Sequence, residues 1–180
     1  PSMTKGFVGA KKRYLQTYFS RWPNVWYHGD FAKIDECGLW FLYGRSDDVL
    51  KLAGRRIGPS EIESCLMSHG AVKEAAAVGI TDVLRGEKLI CFAVLTPEYA
   101  GEENLREILK KHVSERLGKT LCPGEIYFLS ALPKTRSGKI PRSLIKDVFL
   151  GKDIKDTDTT SIENPQILDE IRNLSKEENR

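Results

Sequence analysis

The stretch Asp47-Asp48-Val49-Leu50-Lys51-Leu52-Ala53-Gly54-Arg55-Arg56-Ile57-Gly58-Pro59-Ser60-Glu61-Ile62-Glu63 changes the character of the chain. Before it the sequence reads as an aromatic hairpin; after it short strands and helices alternate, which places a boundary near Asp47. Residues 49–52 and 55–57 bracket Ala53-Gly54 as a two-residue hairpin turn. Pro59 sits where a first helical turn tolerates it, and Glu61 and Glu63 add negative charge at the helix start, where the macrodipole favours it. Ile62, Cys65, Leu66 and His69 then share one helical face, and Gly70 is a stop.

Upstream, residues 10–20 place Tyr14, Leu15, Tyr18 and Phe19 on one face, residues 25–27 read as a strand, and 31–35 with 39–43 flank the turn Glu36-Cys37-Gly38 as a hairpin. All three tryptophans, Trp22, Trp26 and Trp40, lie in this first segment, which is too short to build a core alone and calls for burial against the rest of a larger domain. Downstream, 74–80 and 87–96 are apolar enough for central strands, Leu105, Ile108, Leu109, His112 and Val113 carry a helical period that ends at Gly118, and 125–129 is one more strand. Leu144, Ile145, Val148 and Phe149 mark a short helix. Residues 152–163 are polar, and Asn164-Pro165 caps a last amphipathic helix with Ile167, Leu168, Ile171 and Leu174.

Composition narrows the function classes. The 28 basic against 25 acidic residues leave a net charge of +3, too little to argue for nucleic acid or anionic lipid as partner, so a basic function has to be local. Cys37, Cys65, Cys91 and Cys122 are far apart, with no C-x-x-C pair to close around zinc, which points to free thiols in a reducing compartment. The most apolar run, 89–95, is far below the roughly 20 residues of a membrane span, and no signal-peptide core is present; the expected location is cytoplasmic.

Three constellations carry chemistry. The loop Lys134-Thr135-Arg136-Ser137-Gly138-Lys139-Ile140-Pro141-Arg142 gathers four cations around Ser137-Gly138, whose flexible backbone lets a lysine project from a turn. It is not a Walker A loop, which would need Gly at Pro133 and Ser or Thr at Ile140; composition alone leaves open a phosphate-handling loop and a solvated basic one. In Tyr27-His28-Gly29-Asp30, followed by Gly44-Arg45, a carboxylate is placed to take both hydroxyls of a ribose and an arginine to close over sugar or phosphate, although Asp30 alone is as good a turn residue and Arg45 as good a surface ion pair. The third is the stretch quoted first.

The ordered set Tyr27-x-Gly29-Asp30, Gly44-Arg45-x-Asp47-Asp48-Val49, Gly54-x-Arg56-Ile57-Gly58-x-x-Glu61-Ile62-Glu63 and Pro133-Lys134-Thr135-Arg136-Ser137-Gly138-Lys139-Ile140 resembles the acyl-adenylate-forming superfamily, in its acetyl-CoA synthetase branch. The likeness covers essentially the whole chain, including the tail from Gly151-Lys152-Asp153 through Asp158-Thr159-Thr160 to Asn164-Pro165. It implies an α+β fold: residues 1–46 as the end of the large AMP-binding domain, 47–151 as a mobile C-terminal lid of short strands packed with helices, and 152–180 as a polar wrap with a terminal helix. The implied activity is that of an acetate–CoA ligase acting on acetate, ATP and CoA with Mg2+. The carboxylate attacks the ATP α-phosphorus to give acetyl-AMP and pyrophosphate, then the CoA thiol takes the acetyl group and releases AMP. The fragment alone is expected to be inactive, its partner being the missing N-terminal domain of the same chain.

By position the resemblance makes Lys139 the adenylation lysine, Asp30 the ribose ligand, Arg45 a ribose contact, Arg56 a nucleotide-phosphate contact and Asp47 the hinge. Gly54 falls on the glycine lining the pantetheine tunnel, with Ala53 before it where serine is common. Met67, His69 and Val72 fall on a magnesium site at a helix end. The arginine that grips the CoA phosphate in relatives falls, aligned without gaps, on Ser114, with Lys110, Lys111 and Arg116 nearby. Propionate or another short acid is the alternative substrate. A nucleic-acid module using 134–142 and 51–56 is a remote one, which would predict binding that falls steeply with salt.

Overall fold

A computed structural model describes residues 3–46, 48–52, 54–82, 86–154 and 161–178. The chain divides into two compact units, Pro1–Asp47 and Asp48–Arg180.

The first unit opens with helix α1, Lys11–Phe19. Its ring-bearing face holds an aromatic cluster: Phe7 meets Tyr14 and Tyr18 edge-on, and Trp26 stacks on Tyr18 with centroids 5.0 Å apart. Residues 25–27, expected as a strand, form none. Trp26 stacks on Tyr18 of α1 instead, Val25 stays 55% exposed, and the Tyr27 N–H is taken by the Tyr18 carbonyl at 2.8 Å rather than by a neighbouring strand. The hairpin follows as β1 (Asp30–Ile34) and β2 (Trp40–Arg45), antiparallel, with Asp30 opposite Arg45. Asp35 closes its turn by accepting the Cys37 and Leu39 N–H groups, each at 2.9 Å. The burial that this segment calls for is not met inside the unit: Trp40 is 68% and Leu42 73% exposed.

The second unit is layered. A hairpin of β3 (Leu50–Leu52) and β4 (Arg55–Ile57), with Leu52 opposite Arg55, leads into α2 (Pro59–Met67). The main sheet has the order β5 (Val72–Asp82), β6 (Gly86–Leu95), β7 (Glu125–Phe128); β6 is antiparallel to β5 and parallel to β7, and α3 (Leu105–Leu117) makes the crossover. Strand periodicity sorts the core onto two faces. Ala75, Ala77, Cys91 and Ala93 join α2, α3 and the β3–β4 hairpin on one. Ala76, Val78, Ile90 and Phe92 meet α4 (Arg142–Phe149) and α5 (Ile167–Glu178) on the other. The small alanines on β5 let the helices approach closely; Phe92, Ile145 and Ile171 fill the second face. No described helix is long and apolar enough to cross a membrane.

Candidate functional site

In the first unit the β1–β2 register brings Asp30 and Arg45 together. The guanidinium lies 3.7 Å from the Asp30 carboxylate and donates to the His28 carbonyl at 2.9 Å. Gly29 allows this for two reasons: its φ of +90° suits glycine, and a Cβ there would stand 2.8 Å from the Arg45 guanidinium. His28 pairs through Nδ1 with the other Asp30 oxygen, so the histidine inside this motif helps to hold the carboxylate. These groups edge a cavity of about 170 Å³ lined by Thr17, Tyr18, Trp26, Tyr27, His28 and Arg45, and Tyr27 is fixed by a close hydrogen bond to Ser46. The carboxylate and guanidinium remain partly open to solvent, so both can still meet a polar ligand.

In the second unit the loop 133–141 joins the strand layer to α4. Its four cations fall into two classes. Lys134 is held by Glu74 at 2.7 Å. Arg142 forms a two-point bond with Glu63, Nε to Oε1 at 2.7 Å and Nη2 to Oε2 at 2.6 Å, with Asp48 4.0 Å from the same guanidinium. Those hydrogen bonds push the Arg142 pKa above its ordinary value. Glu63 is 5% exposed and also accepts the Ala77 N–H at 2.9 Å. Sequence reading took it for a helix-start charge; instead it caps the open edge of β5 and fastens α2 to α4.

Lys139 is the counterpart. The turn that carries it is closed by its own backbone: Thr135 N–H to Lys139 carbonyl at 2.9 Å, Gly138 N–H to Thr135 carbonyl at 2.8 Å, Lys139 N–H to Thr135 Oγ1 at 3.2 Å. Gly138 takes φ +76°, which a β-carbon disfavours. The lysine is exposed, and no carboxylate of the described residues pairs with its ammonium. Arg136 is exposed beside it.

The remaining candidates are distributed. Arg56 lies exposed on β4, and Gly54 turns the hairpin at φ +79° with nothing of the described residues within 4 Å of where a Cβ would stand. Asp47 and Ala53 lie outside the described residues. Ser114 is half-buried on α3. Burial works against the nearby Lys110 ammonium, but its hydrogen bond to Glu107 and the charge of Glu125 outweigh this and raise its pKa, so Lys110 is already engaged. Met67, His69 and Val72 run from the end of α2 into β5 beside α3, on the sheet face opposite the Lys139 loop. His69 Nδ1 is buried without a partner among the described residues, its ring edge-on to His112 at 5.2 Å. His112 is itself bound to Ser68 and to the Cys65 carbonyl. The three bring no carboxylate, so a magnesium ion there would rest on main-chain carbonyl oxygens and the imidazole. Among the described residues no group of three His, Cys, Asp or Glu could hold one.

Comparison with known proteins adds the following. Residues 61–139 match the AMP-binding enzyme C-terminal domain. Over 177 residues the chain is 42% identical to acetyl-coenzyme A synthetase of Pyrobaculum aerophilum, an alignment that covers 98% of this chain and 26% of that protein. It is 43% identical over 166 residues to 3-hydroxypropionyl-coenzyme A synthetase of Sulfurisphaera tokodaii, covering 92% and 25%. Acetoacetyl-CoA synthetase from Streptomyces lividans superposes with a TM-score of 0.80 at 25% identity, covering 93% of this chain and 25% of that one. The chain spans about a quarter of the length of the curated relatives it matches.

Proposed function

We propose that this chain, whose residues 61–139 match the AMP-binding enzyme C-terminal domain, is the C-terminal portion of an acetate–CoA ligase. ATP and acetate give acetyl-AMP and pyrophosphate; CoA then takes the acetyl group and AMP leaves. Residues 1–46 are assigned to the end of the large AMP-binding domain, 47–151 to a lid that turns about Asp47, and 152–180 to a wrap and terminal helix. The large domain supplies the acid pocket, so this part alone is inactive. The free thiols at Cys37, Cys65, Cys91 and Cys122 fit a cytoplasmic enzyme.

One observation carries the reading: of the cations in loop 134–142, Lys139 is exposed on a glycine turn without a carboxylate partner among the described residues, while Lys134 and Arg142 are neutralised by Glu74 and Glu63. As acetate oxygen approaches the α-phosphorus, two anions converge and the bond to pyrophosphate lengthens. An unpaired ammonium between carboxylate and phosphate oxygens offsets that repulsion, and a lysine already committed to an internal carboxylate does not. Asp30 takes the ribose hydroxyls, with Arg45 closing over the sugar and Arg56 meeting phosphate. Gly54 leaves the space in which a pantetheine arm would run, and Ala53 still offers a backbone amide to it. The CoA phosphate falls to the surface of α3 around Ser114 and Arg116. Magnesium enters with ATP as its complex.

Lys139→Ala in the full-length polypeptide tests this. Acetate-dependent pyrophosphate exchange is expected to fall by at least about 10²-fold, the scale of one lost electrostatic contact, while thioester formation from supplied acetyl-AMP is largely kept. Equal survival of both steps overturns the assignment. A second reading, propionate or another short acid as substrate, is favoured by the 43% identity to a 3-hydroxypropionyl-coenzyme A synthetase; a panel of acids with the complete protein separates the two.

A further inference from the structure

Asn164 was expected to cap the last helix with its side chain, yet its amide is used elsewhere. Oδ1 accepts the Lys134 N–H at 3.2 Å and Nδ2 donates to the Leu132 carbonyl at 3.0 Å. Its neighbours do the same with their main chain. The Glu163 N–H donates to the Lys134 carbonyl at 2.9 Å, the Arg136 N–H donates to the Ser161 carbonyl at 3.1 Å, and Thr135 faces Ile162 in an antiparallel bridge. Residues 161–164 thus satisfy the backbone of 132–136 as a neighbouring strand would. We infer that this segment is a brace that sets the Lys139 turn, and that Asn164 is the positioning residue within it.

The brace is itself well anchored. Ile162 is buried, and Ile167, Leu168 and Ile171 of α5 seat in the second core. Glu170 accepts both the N–H and the hydroxyl of Ser130, at 3.1 and 2.7 Å. The turn therefore has two limbs of different origin. After Lys139 the chain is fixed by Arg142 on Glu63; before it, the Lys134 ammonium rests on Glu74 while the main chain is held by residues from beyond α4. The match to the family's C-terminal domain stops at Lys139, so the brace lies outside the matched part. The brace's own bonds named above all run between 161–164 and 132–136, away from the β3–β4 hairpin that carries Gly54. Loosening it displaces the lysine and leaves the thioester side of the unit in place.

The inference rests on the proposed role of Lys139 in adenylation. Its test uses the full-length polypeptide, with acetate-dependent pyrophosphate exchange and thioester formation from supplied acetyl-AMP measured on each preparation. The ratio of the two rates is independent of how much protein is folded. Asn164→Ala is expected to lower exchange by about 10- to 100-fold, the scale of an ångström-level misplacement, with thioester formation within about twofold. Asn164→Asp keeps the acceptor for Lys134 but cannot donate to Leu132, and is expected to fall between wild type and Asn164→Ala; it also serves if the alanine variant does not fold. If Lys139→Ala is selective for exchange and neither Asn164 variant is, the brace is refuted and the function stands. If Lys139→Ala is not selective, the function falls and the inference with it.

Discussion

Removing Glu63 and removing Arg142 break the same bond but leave different groups stranded. In Glu63→Ala the guanidinium, 24% exposed, can recruit water and retains Asp48 at 4.0 Å. In Arg142→Ala the carboxylate, 6% exposed, retains only the Ala77 N–H among the described residues. Breaking a buried pair by deleting one partner costs about 3–5 kcal/mol, which places Glu63→Ala near the lower figure and Arg142→Ala near the upper. Glu63→Met with Arg142→Met removes both charges and leaves the Ala77 N–H unmet, so that double variant is expected within about 2 kcal/mol of wild type. Hydrogen exchange at the β5 and β6 amides reads these numbers directly, since 3 kcal/mol corresponds to about 10²-fold less protection. Glu63→Ala costing as much as Arg142→Ala, or a double variant worse than both singles, would refute the reasoning.

Three further outcomes are expected. Gly54→Leu keeps pyrophosphate exchange and abolishes thioester formation in the full-length polypeptide, and adds about 1–2 kcal/mol of backbone strain at φ +79°, visible as a lower unfolding midpoint. Phe92→Ala destabilises the second unit by about 3–5 kcal/mol, because Phe92 is fully buried against Tyr127 and Phe149; urea unfolding followed by circular dichroism measures it. Burial pushes the thiols of Cys65, Cys91 and Cys122 up, so less thiolate is present at a given pH; at pH 8 iodoacetamide is expected to label exposed Cys37 first and Cys91 only on unfolding, as read by mass spectrometry.

What could be read from the sequence is what local pattern encodes. The helices came from apolar spacing, the hairpin turn from Ala53-Gly54, and the α+β class from alternating elements together with the family motifs. The strand expected at 25–27 failed because the Trp26 ring and the Tyr27 N–H found helix α1, not a strand, beside them. The candidate site was less legible for the same physical reason throughout: its supports are distant in sequence. Arg142 finds Glu63 79 residues away, Lys134 finds Glu74 at 60, and Leu132 finds Asn164 at 32. Composition saw four equal cations, and only tertiary pairing sorts them. Glu63 and Asn164 each matched a local rule, helix dipole and N-cap, that long-range partners overrode.

The segregation of every indole into the first unit makes the chain spectroscopically asymmetric. Trp22, Trp26 and Trp40 all precede Asp48, and the second unit offers only tyrosines such as Tyr99 and Tyr127. Excitation at 295 nm therefore interrogates residues 1–47 alone, with Trp26 as the emitter next to the cavity edged by His28 and Arg45. Tyr127→Trp would put a fourth indole, the first in the second unit, between Phe92 and Phe149, and the difference from the wild-type melt would report that unit.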